Sequence, residues 1–131
     1  MDNERALRAE KVREVQAHSV MGTVNYWRNP LFPKFNYTDG VKGVAEAAGA
    51  YWLIDAIMSH QAEPKVAAEA RQFWKLEYHR LENHWTLRGT DGDKGDGEVI
   101  LAEQKIEFSD FPLDEFKIWF HYGTMLLPEE Y

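Results

Sequence analysis

NYTDGVKGVAEAAGAYWLIDAIMSHQ, residues 36–61, is the stretch on which the rest of the chain must pack. Thr38 or Asp39 caps a helix there, because a short polar side chain accepts hydrogen bonds from the first unpaired backbone N–H groups. Val41, Val44, Ala45 and Ala48 then recur at helical spacing. Gly49 interrupts them, either as the left-handed residue that closes a helix or as a point of close packing. From Ala50 the pattern resumes. Tyr51, Ile54, Asp55 and Met58 fall on one face, Trp52, Ala56 and His60 on another, with Leu53 and Ile57 between. A helix apolar nearly all round is buried on several sides.

Working outward toward lower numbers, residues 21–36 are dense in aromatics. Thr23 is placed to cap a short helix over Val24–Arg28, which Asn29-Pro30 and Phe32-Pro33 stop. Tyr26, Trp27, Phe32, Phe35 and Tyr37 either form a lid on the core or line a groove for a small ligand or peptide. Residues 2–19 carry a helical signature with a patchy apolar face of Ala6, Val12 and Val15, and Glu4–Arg8 is an attractive pair one turn apart. So weak a face suits a peripheral helix, or one that docks on a partner.

Toward higher numbers, Pro64 opens a further helix to about Arg71. The period then changes to two. Trp74, Leu76 and Tyr78 alternate with Lys75, Glu77 and His79, and Trp85 and Leu87 alternate with His84, Thr86 and Arg88. Residues 89–97 form a glycine–aspartate loop and 98–108 a third strand. After a bend at Phe111-Pro112-Leu113, Phe116, Ile118 and Phe120 alternate with Lys117, Trp119 and His121. A Tyr122-Gly123 turn leads to a short last strand, 124–127.

The expected fold class is therefore α+β, with N-terminal helices packed on a C-terminal antiparallel meander of about five strands. One domain spans 1–131, mainly helical over 1–71 and sheet over 72–131. The predicted core is Tyr51, Trp52, Leu53, Ile54, Ile57, Trp74, Leu76, Ile106, Phe116, Ile118 and Phe120.

Composition narrows the function classes. At 131 residues and 44% hydrophobic, the chain is long enough and apolar enough to close one core. Its charged first residues and the lack of an apolar run of about 18 residues argue against a signal peptide or a membrane span, so a cytoplasmic location is expected. With no cysteine, disulfides, thiolate catalysis and Cys-based metal sites are excluded. The net charge of −7 is uneven: residues 1–34 carry +2, 35–88 carry −1 and 89–131 carry −8. An acidic end disfavours nucleic acid and favours a basic partner, or simply solvates the surface.

Four groups of motifs taken together, Tyr37-Thr38-Asp39-Gly40-Val41, Gly49-Ala50-Tyr51-Trp52-Leu53-Ile54-Asp55, Phe73-Trp74-Lys75-Leu76, and Asp110-Phe111-Pro112-Leu113 with Leu126-Leu127-Pro128-Glu129-Glu130-Tyr131, resemble a family of small prokaryotic proteins found in bacterial genomes, phages and plasmids. The likeness covers roughly residues 20–131. It implies helices followed by a sheet, and it implies no activity. The N-terminal helix and the Asp/Gly loop depart from the family pattern. A mobile-element setting suggests an inhibitor or modulator of a host system.

Candidate chemistry is sparse. In the loop Asp91-Gly92-Asp93-Lys94-Gly95-Asp96 a calcium-loop register fails, because position 5 is Gly95 and position 6 is Asp96. His79 and His84 flank a turn, with Glu77 or Glu82 as a third group, but two imidazoles make a poor zinc site. Asp55 lies amid apolar neighbours and needs a partner, for which Lys42, Arg28 and His60 are in range of sequence. No catalytic motif, metal set or cofactor signature emerges. The leading expectation is a non-enzymatic interaction module that meets a protein with a basic, nucleic-acid-binding surface through Glu103, Glu107, Asp110, Asp114 and Glu115. The alternatives are a small-ligand module built on Tyr26, Trp27, Phe32, Phe35 and Tyr37, and an enzyme centred on Asp55. Direct nucleic-acid or membrane binding is not expected. A homodimer through edge pairing of the last strand is a further possibility in this reading.

Overall fold

In the computed structural model, which describes residues 2–93 and 95–131, helices cover one side of a seven-stranded sheet. The helices are α1 (Asp2–His18), α2 (Asp39–Ala48), α3 (Tyr51–Ser59) and the single turn α4 (Pro64–Ala67). The strands are β1 (Tyr26–Asn29), β2 (Phe32–Thr38), β3 (Arg71–His79), β4 (His84–Thr90), β5 (Ile100–Ile106), β6 (Glu115–His121) and β7 (Thr124–Leu126), in spatial order β1-β2-β7-β6-β3-β4-β5.

The central stretch behaves as its residues dictate. Thr38 is the cap of α2, its hydroxyl oxygen accepting from the Val41 N–H at 3.3 Å. Gly49 ends the helix with φ +64 and nothing within 4 Å of where a Cβ would stand, so it is the left-handed closing residue and not a packing point. Val41, Val44, Ala45 and Ala48 of α2, with Leu53, Ile54, Ile57 and Met58 of α3, are buried. They share one cluster with Trp74, Leu76, Leu87, Phe116, Ile118, Phe120 and Met125 from the sheet. α1 lies against α2, where Gly43 lets Val15 approach to within 3 Å of a would-be Cβ. Arg5 and Arg8 tie α1 to the β5–β6 connection through the carbonyls of Pro112 and Asp110.

Three expectations need correction. The sheet has seven strands and is mixed, because β7 runs parallel to β2 while all other neighbours are antiparallel. Residues 2–71 are helical for the greater part, but they also carry two strands. The segment read as a short helix over 24–28 is half of a hairpin, β1–β2, whose strands are rich in Tyr, Trp and Phe. Asn29 makes its corner by accepting from the Leu31 N–H, and Pro33 falls in the pairing irregularity, where no ladder bond is lost. Finally, β7 is interior, flanked by β2 and β6, so it has no free edge for pairing with a second copy; the open edges are β1 and β5. In the core, Leu53, Ile54, Ile57, Trp74, Leu76, Phe116, Ile118 and Phe120 are buried, Trp52 and Ile106 half-buried, and Tyr51 exposed. Tyr51 turns outward to donate its hydroxyl to Glu46. Among the described residues, no helix is long and apolar enough to cross a membrane.

Candidate functional site on the open face of the sheet

Strand alternation sends Trp74, Leu76, Phe116, Ile118 and Phe120 to the helices and their neighbours to the other side. Among the described residues, no helix covers that other side. On it, cross-strand pairing lines up Arg71 with His121, Phe73 with Trp119, and Lys75 with Lys117. Lys75 also pairs with Arg88 across β4, giving a row of three cations over three strands.

The aromatic part of this face is an enclosure around His121. Trp119 stacks on the imidazole at 5.2 Å between ring centres, Phe73 meets it edge-on at 5.1 Å and Tyr131 edge-on at 5.5 Å. Tyr131 arrives there because Glu130, just before it, is fixed at the start of α2. The Glu130 carboxylate accepts from the Thr38 hydroxyl at 2.6 Å, the Gly40 N–H at 3.1 Å and the Leu127 N–H at 2.8 Å. A carboxylate at a helix start is favourable in itself. Tyr131 then accepts at its hydroxyl from Arg71 at 2.9 Å and leans on Trp119.

His121 is only 8% exposed, yet neither of its ring nitrogens has a hydrogen-bond partner among the described residues. Buried polar atoms are nearly always paired, so this imidazole stands apart. Burial holds it below the usual histidine range, and the neighbouring Arg71 guanidinium adds to the effect. Among the described residues no carboxylate or hydroxyl is hydrogen-bonded to its nitrogens, as the orienting group and nucleophile of an acid–base relay would be.

Clefts open on both sides of the enclosure. One of about 210 Å³ is lined by His121, Tyr131, Tyr26, Thr38 and Thr124. Another of about 510 Å³ has Phe73 and Trp119 beside the cations Lys75, Arg88 and Lys117, and is walled by Asp93 and Glu98. Loop 91–99 packs down on Phe73 at Gly92, whose φ is +75 and where a Cβ would stand 2.6 Å from the ring. Lys75 lies 3.4 Å from Glu115 and 3.6 Å from Glu77, and Arg88 lies on Glu103, but Lys117 is in no ion pair among the described residues.

The residues singled out in the sequence are placed elsewhere. Each of the five acidic candidates holds a cation of its own chain: Glu103 with Arg88, Glu107 with Lys105, Asp110 with Arg8, Asp114 with Arg5 and Arg80, and Glu115 with Lys75. The two arginines hold the Asp114 carboxyl below the usual carboxylate range, Arg5 more than Arg80. The five aromatics do not form one groove. Tyr37 is buried, Phe32 and Phe35 pack on the core, and Trp27 donates its indole N–H to Asp39 at 2.9 Å beneath the Lys42 ammonium. Tyr26 lines the His121 cleft.

Asp55 takes a hydrogen bond from the Asn29 side chain at 2.7 Å, not from Lys42, Arg28 or His60, and so ties α3 to the β1–β2 corner. His60 lies instead between Glu63 and Gln104. His79 and His84 face each other at 5.2 Å, but no group of three His, Asp or Glu among the described residues is arranged to hold a metal. In the Asp/Gly loop, Asp93 accepts from the Gly95 N–H and Asp91 from the Val99 N–H, so the loop uses these carboxylates to hold itself; Lys94 lies outside the described residues.

The open-face residues were available to sequence reading by one signal. Phe73 and Trp119 occupy the polar phase of strands whose other phase is already apolar. No curated protein and no solved structure matches the chain. A family model does match, from residue 13 to residue 131, and the chain belongs to that family, the family of unknown function DUF6876.

Proposed function

We propose that the protein is a non-enzymatic binding module whose open sheet face is the binding surface. The observation that supports this reading best is the enclosure of Phe73, Trp119, Tyr131 and a buried, unpartnered His121 on a face that no helix covers. Of the two clefts beside it, the 510 Å³ one lies within the range in which small ligands bind and the 210 Å³ one falls short of it while Tyr131 lines it, and aromatic walls with a few convergent polar groups are what such sites use. Catalysis has less support, since His121 lacks a hydrogen-bonded partner and Asp55 is engaged in tying α3 to a hairpin. Inhibition of a basic partner by carboxylate mimicry also has less support, because arginines and lysines of the same chain already neutralise the five carboxylates and lower the negative field they present.

The test is a ligand-detected NMR screen of small metabolites and fragments against wild type, Trp119→Ala and Leu81→Ala. Leu81 is 96% exposed in the β3–β4 turn, away from the face. Hits that persist with Leu81→Ala and vanish with Trp119→Ala are the expected result. Hits indifferent to Trp119 would move binding elsewhere and end this reading.

A further inference from the structure

We infer that the Tyr131 side chain is a resident placeholder in a slot that receives an aromatic carboxylate. This inference rests on the open face being the binding surface and names the ligand chemistry that its His121 end would take.

Tyr131 already occupies the slot as a ligand would. Its ring is edge-on to Trp119 at 5.3 Å and to His121 at 5.5 Å, and its oxygen lies 2.9 Å from Arg71 Nη2. The occupant of that position is thus a planar ring carrying an oxygen acceptor at a guanidinium. A neutral phenol is a poor occupant, because arginine binds a carboxylate through two parallel, charge-assisted bonds and a phenol through one weaker bond. It also leaves both His121 nitrogens without partners. A neutral imidazole has one N–H to donate and one nitrogen to accept. A carboxylate that takes the place of the phenol oxygen keeps acceptor lone pairs beyond the two that a guanidinium engages, and one of these can accept from that N–H.

Tyr131 is also held lightly enough to leave. It is 69% exposed, and the only side-chain hydrogen bond it makes among the described residues is the one to Arg71. The residue before it is fixed by the three bonds of Glu130. The ring can therefore swing about an anchored neighbour without releasing the rest of the segment. Swung aside, it uncovers His121 and enlarges the 210 Å³ cleft that both residues line. The charged and titratable groups around the slot are Arg71 on β3, the hydroxyls of Tyr26 and Tyr122, and Glu130, whose oxygens are spent on Thr38, Gly40 and Leu127.

The probe is 4-hydroxybenzoate, titrated into wild type, Tyr131→Ala, Tyr131→Phe and Arg71→Gln, with the His121 ring protons followed by NMR. A self-occupied site loses apparent affinity in proportion to the fraction of molecules that are open, so Tyr131→Ala is expected to bind about tenfold tighter than wild type. Tyr131→Phe, which keeps the ring and loses the bond to Arg71, is expected to fall between the two. Arg71→Gln should abolish binding, alone or combined with Tyr131→Ala. The His121 protons should move in every variant that binds. The inference is overturned if Tyr131→Ala binds no better than wild type while its melting temperature is unchanged. If Tyr131→Ala lowers the melting temperature, Tyr131→Phe decides, and equal affinity to wild type rejects the slot. A screen in which other ligands are lost with Trp119→Ala while 4-hydroxybenzoate never binds keeps the open face and discards the placeholder.

Discussion

Trp74 and Phe73 are neighbours in sequence and face opposite worlds. Trp74 lies among α3 and the inner sheet residues, 1% exposed, with its indole N–H donated to Gln72 at 3.0 Å. Phe73 lies on the open face with Trp119 and His121, half-buried. The same alternation of side chains gives one sheet two aromatic surfaces. One is sealed by helices and saturated with partners, and the other is open and holds a histidine with none. Aromatic burial on the first explains stability. On the second it explains less, since the half-buried rings of Phe73 and Trp119 gain less from leaving water than a sealed one does, and that is why we assign it to binding.

The largest test of this contrast is a pair of truncations. Trp74→Ala is expected to cost about 3–5 kcal/mol, as for a fully buried aromatic. Trp119→Ala is expected to cost about 1–2 kcal/mol, because its ring is only half-buried. Urea unfolding of both variants measures the difference. Equal losses would mean that the open face is structural after all.

Gln72 sharpens the sealed side. Its amide exchanges two hydrogen bonds with Gln61, reaches the carbonyls of Val66 and Glu69, and receives the Trp74 indole N–H. This buried knot joins β3 to the segment after α3. Gln72→Leu keeps the bulk but strands the Gln61 amide and the Trp74 N–H, at a cost of about 2 kcal/mol. A neutral result would show that the sealed face tolerates unpaired polar groups, and the singularity of His121 would vanish with it.

Much of the sealed face was legible in the sequence. Thr38 and Gly49 bracket α2 by their own chemistry, and the period-two runs at 72–79 and 115–121 name which residues go inward. Those signals are local. Strand order is not local: β7 reaches β2 only because the β6–β7 hairpin and the β1–β2 hairpin end up side by side, and nothing within 124–126 encodes that neighbour. Asn29-Pro30 was legible as a break but not as a hairpin corner, since both readings use the same turn residues. The open face was half-legible. Trp119 in the polar phase of β6 is a visible anomaly, but its meeting with Phe73 and Tyr131 depends on the β3–β6 register and on Glu130 reaching α2. The acidic end was legible as charge but not as pairing, because charge counts ignore partners, and each carboxylate singled out has one.

His121 gives the contrast a pH signature. Its folded pKa lies below the ordinary value of about 6.5, because burial disfavours the charged ring and Arg71 repels it. Below pH 6.5 the unfolded chain takes up a proton that the folded one refuses. Stability therefore falls as the pH drops from 6.5 toward the folded pKa, and is flat in this group above 6.5. His121→Phe removes that slope and leaves stability above pH 7 nearly unchanged. Chemical denaturation at pH 7.5 and 5.5 reads it out, and an identical pH slope in the variant would mean that the ring is solvated.

The smallest expected effect lies at the rim of the open face. Tyr122 and Gly123 form the β6–β7 turn with φ values of +53 and +83. Glycine accepts that conformation freely, and asparagine accepts it better than a bulky aromatic does. Tyr122 is 74% exposed, so no core contact offsets the strain, and its N–H is donated to the Ala70 carbonyl at 2.8 Å whatever its side chain. Tyr122→Asn is therefore expected to stabilise the fold by about 0.5–1 kcal/mol. Its side chain lines the His121 cleft and the cleft by Arg71 and Phe73. A strained aromatic kept at the mouth of two clefts on the unsealed face belongs with binding, so the same substitution should raise the melting temperature and weaken whatever ligand Trp119 is found to hold. A variant that is more stable and binds as well as wild type would reduce Tyr122 to a turn residue and shrink the site to Phe73, Trp119, His121 and Tyr131.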